Sequence, residues 1–162
     1  MLFIITAFQI ACHSQITIGG GVLSQAYEDF DFGFTDKGIN GFIEFRTTDL
    51  RSTMFEFYGI RYKQHAMSNK TRTEYSFSIL NGFTAFPAKR VQLPFYIGGG
   101  FNFRKLDGKF DEYYLHLILK PMLKIYILDV FGVYGSISGR VGLSNYGVAI
   151  ALYPEVGVLF SF

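Results

Sequence analysis

The chain has no tryptophan, a single cysteine and only four prolines among its 162 residues. The cysteine, Cys12, lies in an N-terminal apolar run, so the remainder can form no disulfide and must be held by its own hydrogen bonding and packing. Charge is scarce as well: Asp, Glu, Lys and Arg make up 17% of the residues, against about 25% in ordinary soluble domains. With a net charge of +2 and no basic cluster longer than Ala88-Lys89-Arg90, the electrostatic footprint of a nucleic-acid binder is missing, and no nucleic acid is expected as a partner. Beyond the N-terminus no stretch of about 18 consecutive apolar residues occurs, so a helical membrane span is not supported.

What is present in excess is aromatic. The chain carries 19 Phe and 11 Tyr, and its length suits one domain. With so little charge, the apolar residues must be spread along extended segments.

Residues 2–11 form an apolar run of signal-peptide length, followed by small residues at Cys12 and Ser14. This predicts a signal peptide over 1–14 and a mature domain over 15–162, starting at Gln15. No Lys or Arg precedes the run. Two other readings use the same residues: a buried first strand, and a lipoprotein acylated at Cys12, for which Gln9-Ile10-Ala11-Cys12 matches a lipobox only at Ala11.

Strict alternation is the main signal of the remainder. From Tyr113 to Ile127 the odd positions are Tyr, Leu, Leu, Leu, Pro, Leu, Ile and Ile, while every charge falls on an even position, His116, Lys120 and Lys124 among them. An extended strand separates these two sets onto opposite faces, whereas a helix mixes them. Residues 92–104 behave alike, with Gly98, Gly99 and Gly100 in the middle. Further candidates at 16–24, 39–46, 54–63, 74–86, 130–143 and 148–162 bring the total to eight strands. Several reach or pass the roughly 9–11 residues that cross a bilayer at a tilt. In 54–63 the large residues shift from Phe55 and Phe57 to Tyr58 and Ile60, which predicts a bulge.

Tight turns are expected at Thr48-Asp49, Pro87-Ala88-Lys89 and Leu128-Asp129, forty residues apart. Between them lie the polar segments 27–38, 65–71, 105–111 and 144–145, mostly longer, with Asp36-Lys37-Gly38 as the tip of the first. Short turns at one end and longer loops at the other are the pattern of bacterial outer-membrane barrels. The polar face is sparse and small, unlike the charge-covered outside of a soluble barrel, so it reads as the lumen. Its charged members Glu44, Arg46, Glu56, Arg104, His116, Lys120, Lys124, Arg140 and Glu155 are expected to form a lumen ion-pair network. Glu56, Lys120 and Glu155 fall at one level and Glu44 with Lys124 at another, so stacked pairs are predicted to plug the barrel rather than line a pore.

The final strand alternates Val156, Val158, Phe160 and Phe162, ending on an aromatic residue. With Gln15, Lys120-Pro121 and the Tyr153-Pro154-Glu155-Val156-Gly157 segment, it resembles the small eight-stranded outer-membrane barrels of the OmpA and OmpX kind, and the outer-membrane β-barrel domain common in Bacteroidota. The resemblance implies an all-β, eight-stranded antiparallel up-and-down transmembrane barrel in the outer membrane of a Gram-negative bacterium. It would be a monomer in contact with outer-membrane lipid and lipopolysaccharide. Girdles would be built from Phe86, Phe95, Tyr113 and Phe162, since Trp is lacking.

Some barrels of this size modify lipid A, so catalysis is the main alternative, and a soluble lipocalin-like ligand carrier is another. Of His65 and His116, neither is followed two positions later by Ser, so the deacylase His-x-Ser pattern is absent; His65 with Ser68 is the residual candidate. No metal or cofactor is expected: no Cys or His cluster remains, and the two Ile-Gly-Gly-Gly runs lack phosphate-loop spacing. The segment 27–37 combines Tyr27, Phe30, Phe32 and Phe34 with Glu28, Asp29, Asp31 and Asp36. These aromatics are candidates for recognising an extracellular or envelope protein partner, or they extend the first hairpin above the membrane.

Overall fold

The computed structural model describes residues 15–24, 27–28, 31–32, 37–63, 71–86, 90–144 and 147–162. The segment 1–14 expected to be a signal peptide lies outside this set, as do Pro87-Ala88-Lys89 and the pair His65 and Ser68. Eight long strands dominate: β1 (Gln15–Ser24), β4 (Lys37–Arg46), β5 (Arg51–Lys63), β6 (Thr71–Ala85), β7 (Val91–Leu106), β8 (Lys109–Tyr126), β9 (Phe131–Ser144) and β10 (Gly147–Ser161). Two dipeptide strands, β2 (Tyr27–Glu28) and β3 (Asp31–Phe32), form a small hairpin on the upper part of β10.

Each long strand pairs antiparallel with the next, and β1 pairs with β10, so the sheet closes into an up-and-down barrel. The seam is continued by Ile16 and Phe162, which exchange backbone hydrogen bonds of 3.0 and 2.8 Å. Closure leaves no free edge along the wall, which is the condition a sheet must meet to stand in hydrocarbon.

The alternation read from the sequence becomes an inversion of the usual globular arrangement. Leu117, Phe101 and Val158, whose direction separates a membrane barrel from a ligand pocket, point outward and are 71%, 38% and 44% exposed. Phe86, Phe95, Tyr113 and Phe162 are exposed too. Lys120 and Lys124, by contrast, are wholly buried inside. A soluble carrier of lipocalin type would bury the first set and expose the second.

Three expectations are corrected. No bulge interrupts β5: its ladders to β4 and β6 run without a register shift, so Tyr58 and Ile60 continue the inward face begun by Met54 and Glu56. The shift lies instead between Arg104 and Lys105, where β7 and β8 pair. The segment 105–111 is not a loop, because β7 and β8 extend through it to a two-residue turn at Asp107-Gly108. Both residues have positive φ, 49° and 81°, the twist-matched geometry that Asp-Gly supplies to a hairpin. Lys37 and Gly38 are likewise not a turn but the first residues of β4, paired with Ser24 and Leu23.

Candidate functional site

Strand parity places nearly all the buried charge in the lumen: even residues of β4 to β9 and odd residues of β1 and β10 point inward. Among the described residues, Glu44, Glu56, Glu74, Glu112 and Glu155 are buried there with Lys120, Lys124, Arg104 and Arg140. A buried charge is tolerable only when paired and hydrogen-bonded. These nine form three clusters.

Nearest the turns, Lys124 donates to Glu44 Oε2, and Tyr96 donates its hydroxyl to Glu44 Oε1 at 2.7 Å. Below them Arg46, half-buried, donates to Gln92 Oε1 at 2.6 Å, so its bond goes to a neutral amide. Thr17 and Tyr126 bond Ser161 at 2.7 and 3.2 Å. An apolar layer follows, containing Phe42, Met54, Leu80, Met122, Tyr134 and Leu159. Gly19 is what admits the Phe42 ring: a Cβ there would stand 2.3 Å from it.

The middle cluster is the densest. Lys120 Nζ donates to Glu56 Oε1 and, at 2.6 Å, to Glu155 Oε2. That same Glu155 oxygen accepts from Asn40 Nδ2 at 2.6 Å and Ser136 Oγ at 3.2 Å. Arg140 Nη2 reaches Glu56 Oε2 at 3.2 Å, while its Nη1 donates to Ser76 Oγ at 3.0 Å and its Nε to Ser138 Oγ at 2.9 Å. The guanidinium lies 4.2 Å from the centroid of the Tyr58 ring and 5.3 Å from that of Tyr153, so its faces and its edges are both occupied.

His116 faces this group. Its Nε2 lies 3.2 Å from Ser78 Oγ and 3.4 Å from Arg140 Nη1. A guanidinium only donates, so a bond from Arg140 needs the lone pair of Nε2, and Nδ1 has no partner among the described residues. The arrangement has the residue types of a nucleophile and base, but both are walled in and the imidazole is bonded by a cation.

At the loop end Arg104 bridges Glu74 (Nε to Oε2, 2.8 Å) and Glu112 (Nη1 to Oε1, 2.9 Å). Tyr58 donates to Glu74 Oε1, which Asn102 Nδ2 also reaches at 2.7 Å. Sequence reasoning did not single out Glu74, Glu112 or Tyr58 for this face, although each keeps the even parity of Ser76, Tyr114 and Glu56 on its own strand.

Of the loop candidates, Tyr27 and Phe32 fall within β2 and β3, with side chains outside the described set; Phe30 and Phe34 lie outside it altogether. Among the described residues no group of three or more His, Cys, Asp and Glu is arranged to hold a metal ion.

No family model matches the sequence, and no curated protein matches it. Solved structures match the fold over nearly its whole length. Neisserial surface protein A superposes with a TM-score of 0.72 at 12% identity, covering 91% of this chain and 97% of that one. The outer membrane protein OprG of Pseudomonas aeruginosa gives 0.67 at 8%, covering 92% and 96%. Ail, the attachment invasion locus protein of Yersinia pestis, gives 0.63 at 16%, covering 92% and 99%. At such identities the likeness is one of architecture: this chain has the fold of the small eight-stranded outer-membrane barrels.

Proposed function

We propose that the protein is an outer-membrane barrel with a closed lumen, serving as a non-catalytic scaffold whose outward segments bind a partner. The observation that carries the membrane reading is the inversion of polarity: apolar side chains ring the outside while nine charged ones are buried within. In water this exterior would be an apolar patch far larger than the few hundred Å² soluble monomers tolerate. In a bilayer it is the lipid-facing band, and the charges require the lumen.

The plug reading is supported by the alternation of ionic and apolar layers along the lumen. An ion entering would have to displace Lys120 or Arg140 from carboxylates that already satisfy them. The structural role of His116 is supported by its burial against Ser78 and Arg140.

The interaction reading rests on the sequence of segment 27–37, which concentrates four aromatics and four acids, and on β2 within it, which pairs with β10. Ail has been crystallised with the heparin analogue sucrose octasulfate. The acids of segment 27–37 favour a cationic surface over such a polyanion.

Membrane fractionation tests the proposal. The protein should remain with outer membranes after salt and alkaline washing and show heat-modifiable gel migration. Recovery in the soluble periplasmic fraction without detergent would overturn it.

A further inference from the structure

The outer wall is apolar around most of its circumference, yet three basic side chains stand together on one arc. The ladders pair Lys37 with Arg61, Arg61 with Thr73, and Thr73 with Lys105, placing all four in one row across β4, β5, β6 and β7. By strand parity the row faces away from the lumen, and its three cations are exposed. The outward row two residues nearer the turns is Ile39, Gly59, Tyr75 and Phe103, wholly uncharged. Lys105 Nζ lies 5.8 Å from the centroid of the Tyr75 ring, which holds that cation against the wall.

The height of the row is set by β5, whose Arg51 and Arg61 share the outward face ten residues apart. At about 3.3 Å per residue and a tilt of about 40°, they stand about 25 Å apart along the barrel axis, the height of an outer-membrane apolar band. The row therefore lies at the loop-side boundary between hydrocarbon and water. Among the described side chains, those pointing outward toward that end of β8, β9, β10 and β1, namely Phe110, Tyr113, Leu143, Val148 and Val22, carry no charge. The turn residue Asp107 accepts the Thr71 backbone N–H at 3.0 Å. The carboxylates of Glu74 and Glu112 point inward to Arg104.

Four neighbouring strands at about 4.8 Å spread the row over about 14 Å, wider than one phosphate can bridge. A free polyanion would have no use for the aromatic and aliphatic row beneath. We propose that the Lys37–Arg61–Lys105 arc binds the headgroup of an outer-leaflet lipid bearing two or more phosphates, with its acyl chains on Ile39, Phe57, Tyr75 and Phe103. The inference rests on the membrane-barrel reading.

Native mass spectrometry of the full chain released from neutral detergent tests it. The probes are a bis-phosphorylated glycolipid, its dephosphorylated form and inorganic pyrophosphate. The protein and an Arg51→Gln control should retain the bis-phosphorylated lipid equally. Single replacements Lys37→Gln, Arg61→Gln or Lys105→Gln should weaken retention about fivefold and the triple variant about a hundredfold. Heat-modifiable migration reports whether each variant is folded; if the triple is not, the single variants decide. Undiminished retention by the charge-depleted variants, equal retention of the dephosphorylated lipid, or displacement by equimolar pyrophosphate would each overturn the site. If the unaltered protein shows no heat-modifiable form and needs no detergent, the membrane reading itself fails, and the lipid site with it.

Discussion

Lys120 lies between two carboxylates, Glu56 and Glu155, and is fully buried. Removing the cation alone leaves two anions facing each other in a low-dielectric interior, whereas removing Lys120 and Glu155 together leaves Glu56 paired with Arg140. Lys120→Met should therefore lower stability by about 3–5 kcal/mol. The double variant Lys120→Met, Glu155→Gln should recover part of that loss, as the coupling of neighbouring sites requires. Urea unfolding of the barrel in lipid vesicles reads both values, and a double variant no more stable than Lys120→Met would show that the two groups are not coupled. Gly19 makes a second point at this scale. The Phe42 ring occupies the space a Cβ would need, so Gly19→Ala should cost about 1–3 kcal/mol by overpacking, and Gly19→Ala with Phe42→Leu should restore most of it.

At the level of the strand, what matters is which face an alternating residue takes. Leu117 on β8 is among the most exposed apolar side chains, and its neighbour Ile118 is buried. Leu117→Arg, near the middle of the band, should destabilise the barrel by about 2–4 kcal/mol in vesicles, while Lys109→Ala at the hairpin tip should change stability little. Equal effects of the two would contradict the assigned band. The same parity explains what could be read in advance. All eight strands were legible because an apolar face one residue out of step with a polar one admits only extended chain. Glu44 with Lys124 and Glu56 with Lys120 and Glu155 were legible as levels by counting from the turns. Glu74 and Glu112 were not, because near the strand ends polar residues stand on both faces and parity no longer separates lumen from water. Nor was the tight turn at Asp107-Gly108, since Lys105, Lys109 and Asp111 around it have the composition of a solvated loop. The row of Lys37, Arg61 and Lys105 was invisible for a third reason: its members are 24 and 44 residues apart in sequence, and only the register of three ladders aligns them.

For the whole molecule, the layered lumen makes a statement about permeability. Reconstituted in planar bilayers, the protein should give no stepwise conductance, and Glu56→Gln should still give none, because the apolar layer around Met54 and Leu159 persists below it. Regular single-channel openings by the unaltered protein would refute the plug. The seam between the first and last strands carries a different consequence. β10 contributes to every level of the interior: Ser161 beside Thr17, Leu159 in the apolar layer, Glu155 on Lys120, and Tyr153 against Arg140. A chain interrupted before this strand loses the Glu155 partner of Lys120 and has an open sheet edge on either side. Closure is thus all or nothing: without the last strand the wall would present unpaired backbone to hydrocarbon, so insertion and completion of the sheet go together.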